Sequence, residues 1–218
     1  MKDENNQVVR GCEYPLREEI IHSITHGIGA LLAISALVLL VVRAVLRGSI
    51  WHVASFALFG ATLILLYLFS TLYHSITNKK AKNVFARLDH AAIFLLIAGT
   101  YTPIMLTCLR GRWGWSMFAI VWAMALAGVV IRSIYLDKFR MLSTFIYVVM
   151  GWSFLIAYNE ITSKIPPASL RLLLYGGIAY TVGVLFYAWK KMPYTHAIWH
   201  LFVLAGSVFH FFAIYFLI

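Results

Sequence analysis

The sequence predicts an all-α integral membrane protein, a seven-transmembrane-helix bundle with its N-terminus inside and its C-terminus outside. Apolar residues make up 62% of the 218-residue chain and charged residues only 12%, about half the charged share of a soluble domain. The apolar residues form long runs separated by short turn or charge signals. Each run approaches the length of about 20 residues that a bilayer requires, and helices satisfy their own backbone groups in lipid.

The seven runs use almost the whole chain. We expect residues 1–19 to form a cytoplasmic N-terminal segment and residues 20–218 to form one transmembrane domain. The segment lacks the basic, apolar and small-residue pattern of a signal peptide, so we expect the first span to be retained. In order, the predicted spans are Ile20 to Leu46, Trp51 to Tyr73, Asp89 to Leu109, Trp113 to Ile131, Met141 to Asn159, Ala168 to Trp189 and His196 to Ile218. The breaks between them fall at Arg47-Gly48, Ser75 to Lys82, Arg110 to Arg112, Arg132 to Arg140, Pro166-Pro167 and Lys190 to Pro193, which carry turn or charge signals.

The basic residues predict the orientation. With the N-terminus inside, twelve lie in inner segments and six in outer ones, and cytoplasmic segments are richer in Lys and Arg. The inner set is Lys2, Arg10, Arg17, Lys79, Lys80, Lys82, Arg87, Arg132, Lys138, Arg140, Lys190 and Lys191. The outer set is Arg43, Arg47, Arg110, Arg112, Lys164 and Arg171. We expect a multi-pass protein of the plasma membrane.

Composition and motifs exclude several other classes. The net charge of +10 would suggest nucleic-acid binding in a soluble protein, but here the basic residues are dispersed between apolar runs, so we expect no nucleic-acid partner. Cys12 and Cys108 are predicted on opposite sides of the membrane and are interpreted as ordinary thiols. The sequence has no Gly-x-Ser-x-Gly, P-loop or dinucleotide-binding motif, and no cysteine accompanies the histidines as in deaminases.

Ionisable residues lie within or beside the spans, where they indicate function or a buried partner. On the predicted topology, the four groups that they form all meet the inner leaflet. The groups are Glu19, His22 and His26; Ser70 and His74; Asp89 with His90; and His196 with His200. Spacings of three, four and seven residues place the members of the first, second and fourth groups on one helical face.

Histidines gathered at one leaflet favour a metal site. Three neutral imidazoles and a solvent molecule are a common catalytic zinc shell, and His-x-x-x-His on a helix supplies two ligands from one face. Asp89 could orient a metal-bound water or a ligating imidazole, and Ser70 could hydrogen-bond the same water or a developing oxyanion. The alternative for His196 and His200 is hydrogen bonding between helices. Three imidazoles also suit other first-row metals.

Four motifs together resemble the hemolysin III branch of the progestin and adiponectin receptor family. They are Glu19 with Thr25-His26-Gly27, Ser70-x-x-x-His74, Asp89 followed by Gly99-Thr100-Tyr101-Thr102-Pro103, and His196-x-x-x-His200. That family is similar in fold to the alkaline ceramidases. The resemblance implies seven helices around an intramembrane Zn²⁺ near the cytoplasmic side, with His74, His196 and His200 as ligands. It also implies that Asp89 reaches the metal through water, with Ser70 next to it. His22 departs from the pattern, since bacterial members more often have asparagine there, and it adds a fourth candidate imidazole near the site.

The remaining polar residues receive structural interpretations. Glu19 and His26 are predicted to form a buried hydrogen-bonded pair, with direct metal or substrate contact as the alternative, and His22 is predicted to line the same cavity. His210 lies too far along its helix to share the metal and should be a core histidine or line a cavity. His52 should lie at the outer interface, and His90 should point away from Asp89. Pro103 should bend the third helix.

Two functions follow. The first is a zinc-dependent hydrolase acting on a lipid-like amide or ester through metal-activated water, with Asp89 as general base and Ser70 steadying the oxyanion. Its membrane lipid or lipid-derived substrate would enter laterally between helices. The alternative is a non-enzymatic protein with structural zinc, acting in membrane homeostasis, as a receptor-like binder or as a cytolysin.

Overall fold

The computed structural model describes residues 14–135, 140–189 and 192–218, and every regular element within these ranges is helical. Seven helical segments of this part of the chain are long and apolar enough to cross a membrane, which confirms the predicted fold class. The helices are α1 (Leu16–Arg47), α2 (Ile50–Ser75), α3 (Lys79–Pro103), α4 (Arg112–Ile134), α5 (Arg140–Gly151), α6 (Tyr158–Lys164), α7 (Pro167–Ala188) and α8 (Thr195–Tyr215). Cys12 and the basic residues Lys2, Arg10, Lys138, Lys190 and Lys191 lie outside the described residues.

The third span lies at the centre of the bundle. In its most apolar window 72% of the residues are buried, against 17 to 50% in the other six spans. Helix α3 packs against α2 and α4, while α1 packs against both α2 and α8, and α8 packs against α7. Large apolar side chains such as Leu31, Leu46 and Ile156 face outward and are 68 to 78% exposed, as expected where lipid is the solvent. The polar residues of interest therefore lie inside a lipid-facing shell.

Two predicted boundaries are wrong in a way that matters for the site. Helix α3 begins at Lys79, where Asn78 Oδ1 accepts a hydrogen bond from the Ala81 amide at 3.1 Å. Asp89 thus lies about three turns inside the helix rather than at its start. Helix α4 continues to Ile134, which places Arg132 inside a helix although the sequence predicted a loop there. Both errors arise because charged residues were read as connections, whereas here they are buried against partners.

The fifth span is divided, in contrast to the continuous helix predicted from Met141 to Asn159. Helices α5 and α6 are joined by a 3₁₀ turn at Ser153–Ala157. The Tyr101 hydroxyl stabilises this break by donating to the Gly151 carbonyl at 2.7 Å and accepting from the Phe154 amide at 3.0 Å. A π-helical turn at Ile104–Cys108 follows Pro103 in the third span.

Candidate metal centre and membrane cavity

Five histidine side chains from three helices meet at one end of the bundle. His22 and His26 come from α1, His74 from the last turn of α2, and His196 and His200 from the first two turns of α8. The spacing of four residues in α1 and in α8 places each pair on one helical face. Because α1 packs beside both α2 and α8, the three faces converge.

Four of these imidazoles lie at nearly equal distances from one another. The ring centroids of His22, His74, His196 and His200 are separated by 4.6 to 5.3 Å. His22, His74 and His196 each offer a possible ligand atom, and these three atoms lie within 4.8 Å of one another. The Nε2 atoms of His196 and His200 are 3.1 Å apart. The structure thus gathers His74, His196 and His200 in one cluster with His22, and the three residues whose ligand atoms lie closest include His22 and not His200.

Glu19 orients one of these imidazoles. Its Oε2 atom lies 2.6 Å from Nδ1 of His74, and both side chains are buried. A carboxylate only accepts hydrogen bonds, so Nδ1 carries the proton and Nε2 is the nitrogen with a lone pair for a metal. The predicted pair of Glu19 with His26 is wrong, since Glu19 contacts His74 whereas the His26 ring stacks on His200 with centroids 3.5 Å apart.

Lys82 is a site residue that sequence reasoning missed. It was read as a charge in an inner loop, but its side chain is 4% exposed and its Nζ lies 3.0 Å from Glu19 Oε1. The same ammonium donates to the Tyr73 carbonyl at 2.9 Å. A buried cation needs such partners, and one sequence offers no signal that pairs Lys82 with a residue 63 positions away.

Tyr14 is a second residue that the sequence did not reveal. It lies just before α1, and its ring stacks on His196 with centroids 4.9 Å apart and planes inclined by 19°. The same ring meets His22 edge-on at 4.9 Å. Tyr14 therefore packs against two of the clustered imidazoles.

Asp89 and Ser70 lie on a cavity that His196 and His200 of the cluster also line. The Ser70 hydroxyl and the Arg132 guanidinium each act on the Asp89 carboxyl. Arg132 is only 1% exposed, so it is a buried cation rather than the inner surface charge that was predicted.

His90, which the sequence analysis left out of the predicted site, also lines this cavity. Its Nδ1 donates to the Ala86 carbonyl at 2.7 Å, and Tyr187 Oη lies 3.5 Å from its Nε2. These contacts hold the ring beside Asp89, with 3.9 Å between His90 Nδ1 and Asp89 Oδ2.

The cavity extends far from the histidine cluster along α8. Its lining includes His196 at the start of the helix and His210 fourteen residues later, a distance of about 21 Å at 1.5 Å per residue. The wall of the cavity between these two histidines is mostly apolar. It includes Leu96 and Ile97 of α3 and Val203 of α8. His210 donates to the Leu173 carbonyl at 3.2 Å and lines the cavity, the second of the two alternatives predicted for it.

His52 has a local role at the start of α2. Its Nδ1 accepts a hydrogen bond from the Ser49 amide at 3.1 Å, completing a capping box that satisfies the first turn. His52 therefore caps the start of α2, whereas His74 lies in the last turn of the same helix.

The donor set fits a zinc ion. Zinc in proteins takes imidazole nitrogens in tetrahedral geometry, and the cluster supplies imidazoles from three helices, one of them oriented by a carboxylate. His22 provides an independent indication: it is 0% exposed, and neither ring nitrogen has a hydrogen-bond partner among the described residues. Burying such groups without a partner is costly, and a metal would bind one of them.

Comparison with known proteins finds relatives over most of the chain. The sequence profile of the family described as "Haemolysin-III related" matches residues 14–211. "Hemolysin-3 homolog" of Bacillus subtilis (strain 168) is 50% identical over 203 residues, covering 93% of this chain and 95% of that protein. "Hemolysin-3" of Bacillus cereus is 46% identical, covering 92% of each chain. "Monocyte to macrophage differentiation factor" of Homo sapiens is 30% identical, covering 78% of this chain and 73% of its own length.

Proposed function

This chain belongs to the haemolysin-III related family of membrane proteins, and we propose that it is a zinc-dependent hydrolase of a lipid-like amide or ester. The observation that carries this proposal is the cavity, which joins a polar end containing Ser70, Asp89, His196 and His200 to a long apolar interior. A ligand with a polar carbonyl and a hydrocarbon chain matches both parts. Pockets of this kind, apolar with a few convergent polar groups, are the usual place for small-molecule chemistry.

The histidines would hold the metal. His74, His196 and His200 approach one another from α2 and α8, and Glu19 fixes the tautomer of His74. Zinc, when bound, supplies Lewis acidity that activates water and polarises a carbonyl. A site that binds the metal inside the bundle keeps this chemistry next to the cavity and away from bulk water.

Asp89 and Ser70 would act on the substrate side. Asp89 would take a proton from water as general base, and the Arg132 guanidinium acts on the same carboxyl. The Ser70 hydroxyl can donate a hydrogen bond to an oxyanion that develops on the substrate. The apolar lining would hold the hydrocarbon chain and fix the position of the carbonyl relative to these groups.

We propose that the protein lies in the plasma membrane, and the charge distribution supports an N-terminus in the cytoplasm. Basic residues on that topology favour the inner side by two to one. The histidine cluster would then lie near the cytoplasmic leaflet, and a membrane lipid or lipid-derived molecule would enter from the bilayer.

Turnover of a lipid panel by the purified protein tests the hydrolase proposal. The zinc-loaded protein should cleave at least one member of a panel of ceramides, acyl amides, acyl esters and lysolipids. Asp89→Asn should lower kcat about 100-fold or more with the metal still bound, whereas Glu160→Gln, which changes a carboxylate in α6, should leave kcat unchanged. Hydrolysis of no panel member by fully metal-loaded protein would contradict the proposal.

A second function is favoured by one specific observation. The clustered histidines come from α1, α2 and α8, so a bound zinc ion would cross-link three helices and stabilise the bundle. In that case the protein is non-enzymatic, with structural zinc, and acts in membrane homeostasis, as a receptor-like binder or as a cytolysin. A large loss of thermal stability on metal removal, without any hydrolysis by the loaded protein, would favour this function.

A further inference from the structure

We propose that His22 is a fourth imidazole ligand, so that the resting metal site of this chain is closed by His22, His74, His196 and His200. This inference rests on the metal binding in the proposed function, but not on hydrolysis. It assigns a direct metal contact to a residue that the ligand set implied by the family resemblance omits.

The first argument is geometric. Six distances connect four ring centroids, and here all six lie between 4.6 and 5.3 Å. Four points that are all equally separated are the corners of a regular tetrahedron. With edges of about 5 Å its centre lies about 3.1 Å from each corner, close to the roughly 3.2 Å expected from a Zn–N bond of about 2.0–2.1 Å plus the distance from nitrogen to ring centre. The four ring centres therefore have the spacing expected for the ligands of a single tetrahedral ion, and the ligand atoms of three of them, His22, His74 and His196, already lie within 4.8 Å of one another.

His26 shows that this arrangement is selective. Its ring contacts one member of the cluster, His200, on which it stacks with centroids 3.5 Å apart and planes inclined by only 12°. A ring stacked on a ligand lies beside that ligand and not at a corner of its own. Five histidines are present, and four of them form the tetrahedron.

The second argument is the state of the His22 side chain. It is 0% exposed, and neither Nδ1 nor Nε2 has a hydrogen-bond partner among the residues that the structure describes. A buried imidazole normally satisfies at least one nitrogen. A metal ion at the centre of the cluster would satisfy one of them. The nitrogens of His26 are also without a partner among the described residues, but its ring is stacked on His200.

The neighbouring contacts identify His22 as the exchangeable ligand. Glu19 holds His74 through Nδ1 at 2.6 Å, and Nδ1 of His200 lies 3.4 Å from the hydroxyl of Thr25. His22 has no comparable anchor on its second nitrogen among the described residues. Four protein ligands leave no open position on zinc, so hydrolysis requires one ligand to leave, and His22 is the least restrained.

Cobalt spectroscopy tests this inference without an activity assay. Co²⁺ replaces Zn²⁺ in the full-length protein in detergent, and the visible absorption is recorded while azide is titrated. We expect wild type to resist azide and His22→Asn to retain one Co²⁺ per chain, shift its spectrum and bind azide at least about tenfold more tightly. The matched control His210→Asn changes another buried cavity histidine and should behave as wild type.

X-ray absorption of the zinc-loaded wild type provides a measurement that needs no variant, and it should give four imidazole ligands. Three imidazoles with one oxygen, or equal azide affinity of wild type and His22→Asn, would overturn the inference while leaving the hydrolase proposal intact. Four imidazoles without hydrolysis would support it and remove the hydrolase proposal. Absence of bound metal from wild type would overturn both.

Discussion

The Glu19 carboxylate and the His74 imidazole are in hydrogen-bond contact at 2.6 Å, although they lie 55 residues apart on α1 and α2. Glu19 also contacts the buried Lys82 ammonium at 3.0 Å. One carboxylate therefore links a proposed metal ligand to a cation on α3. A carboxylate that accepts a hydrogen bond from a ligating histidine raises the basicity of that histidine. The negative charge of Glu19 should therefore strengthen metal binding by His74.

Removing the negative charge of Glu19 should weaken metal binding. In Glu19→Gln the amide oxygen can still accept from His74, but the charge that strengthens the imidazole as a ligand is lost. We expect the zinc affinity to fall about 10- to 100-fold, measured by competition with a chromophoric chelator. Glu160→Gln is the matched control, since that carboxylate pairs with Lys164 in α6 and is 38% exposed. Equal zinc affinity of Glu19→Gln and wild type would contradict the role given to this contact.

Removing the cation should destabilise the fold itself. Lys82→Met would leave Glu19 buried without its ammonium partner, and breaking a buried ion pair in this way costs about 3 kcal/mol or more. For a chain of this size we expect Tm to fall by about 10 °C, measured by thermal unfolding in detergent. Lys79→Met is the control, because Lys79 is exposed at the first turn of α3 and its Tm should match wild type. Similar Tm values for the two variants would show that Lys82 is not a structural partner of Glu19.

Gly177 on α7 offers a test of whether the cavity accepts a hydrocarbon chain. A side chain at Gly177 would meet only Trp152, at 3.8 Å, and would otherwise project into the cavity that Gly177 lines. Gly177→Leu should therefore fold and discriminate against long-chain acyl amides by about tenfold or more relative to short-chain ones, as measured by binding of fluorescent analogues. An unchanged preference would exclude this part of the cavity as the binding site.

Gly176, the neighbouring residue on α7, should not tolerate a larger side chain. A Cβ atom there would lie 2.2 Å from the His210 ring and 3.1 Å from the Gly206 carbonyl oxygen, so the α7–α8 contact would have to open. Gly176→Leu should lower Tm by several degrees, because overpacking costs about 1–3 kcal/mol. A Tm equal to that of wild type would mean that the two helices are not packed as closely as described.

The features that could be predicted from the sequence are those set by the local spacing of residues along a helix. Spacings of four residues predicted the shared faces of Ser70 with His74 and of His196 with His200, and the directions of the spans predicted that these faces would meet. The sequence could not predict the partners of buried charges. Lys82 and Arg132 look like loop cations until α3 and α4 are seen to extend past them, and Tyr14 contacts His196 only through tertiary packing.

The metal content of purified protein tests the central claim most directly. Elemental analysis of wild type and of His196→Ala, purified in parallel without added chelator, requires no knowledge of substrate. We predict about one zinc per chain in wild type and a loss of most of it in His196→Ala, because His196 belongs both to the ligand set that the resemblance implies and to the three residues with the closest ligand atoms. Equal metal content in the two proteins would contradict the assignment of these histidines as a metal site.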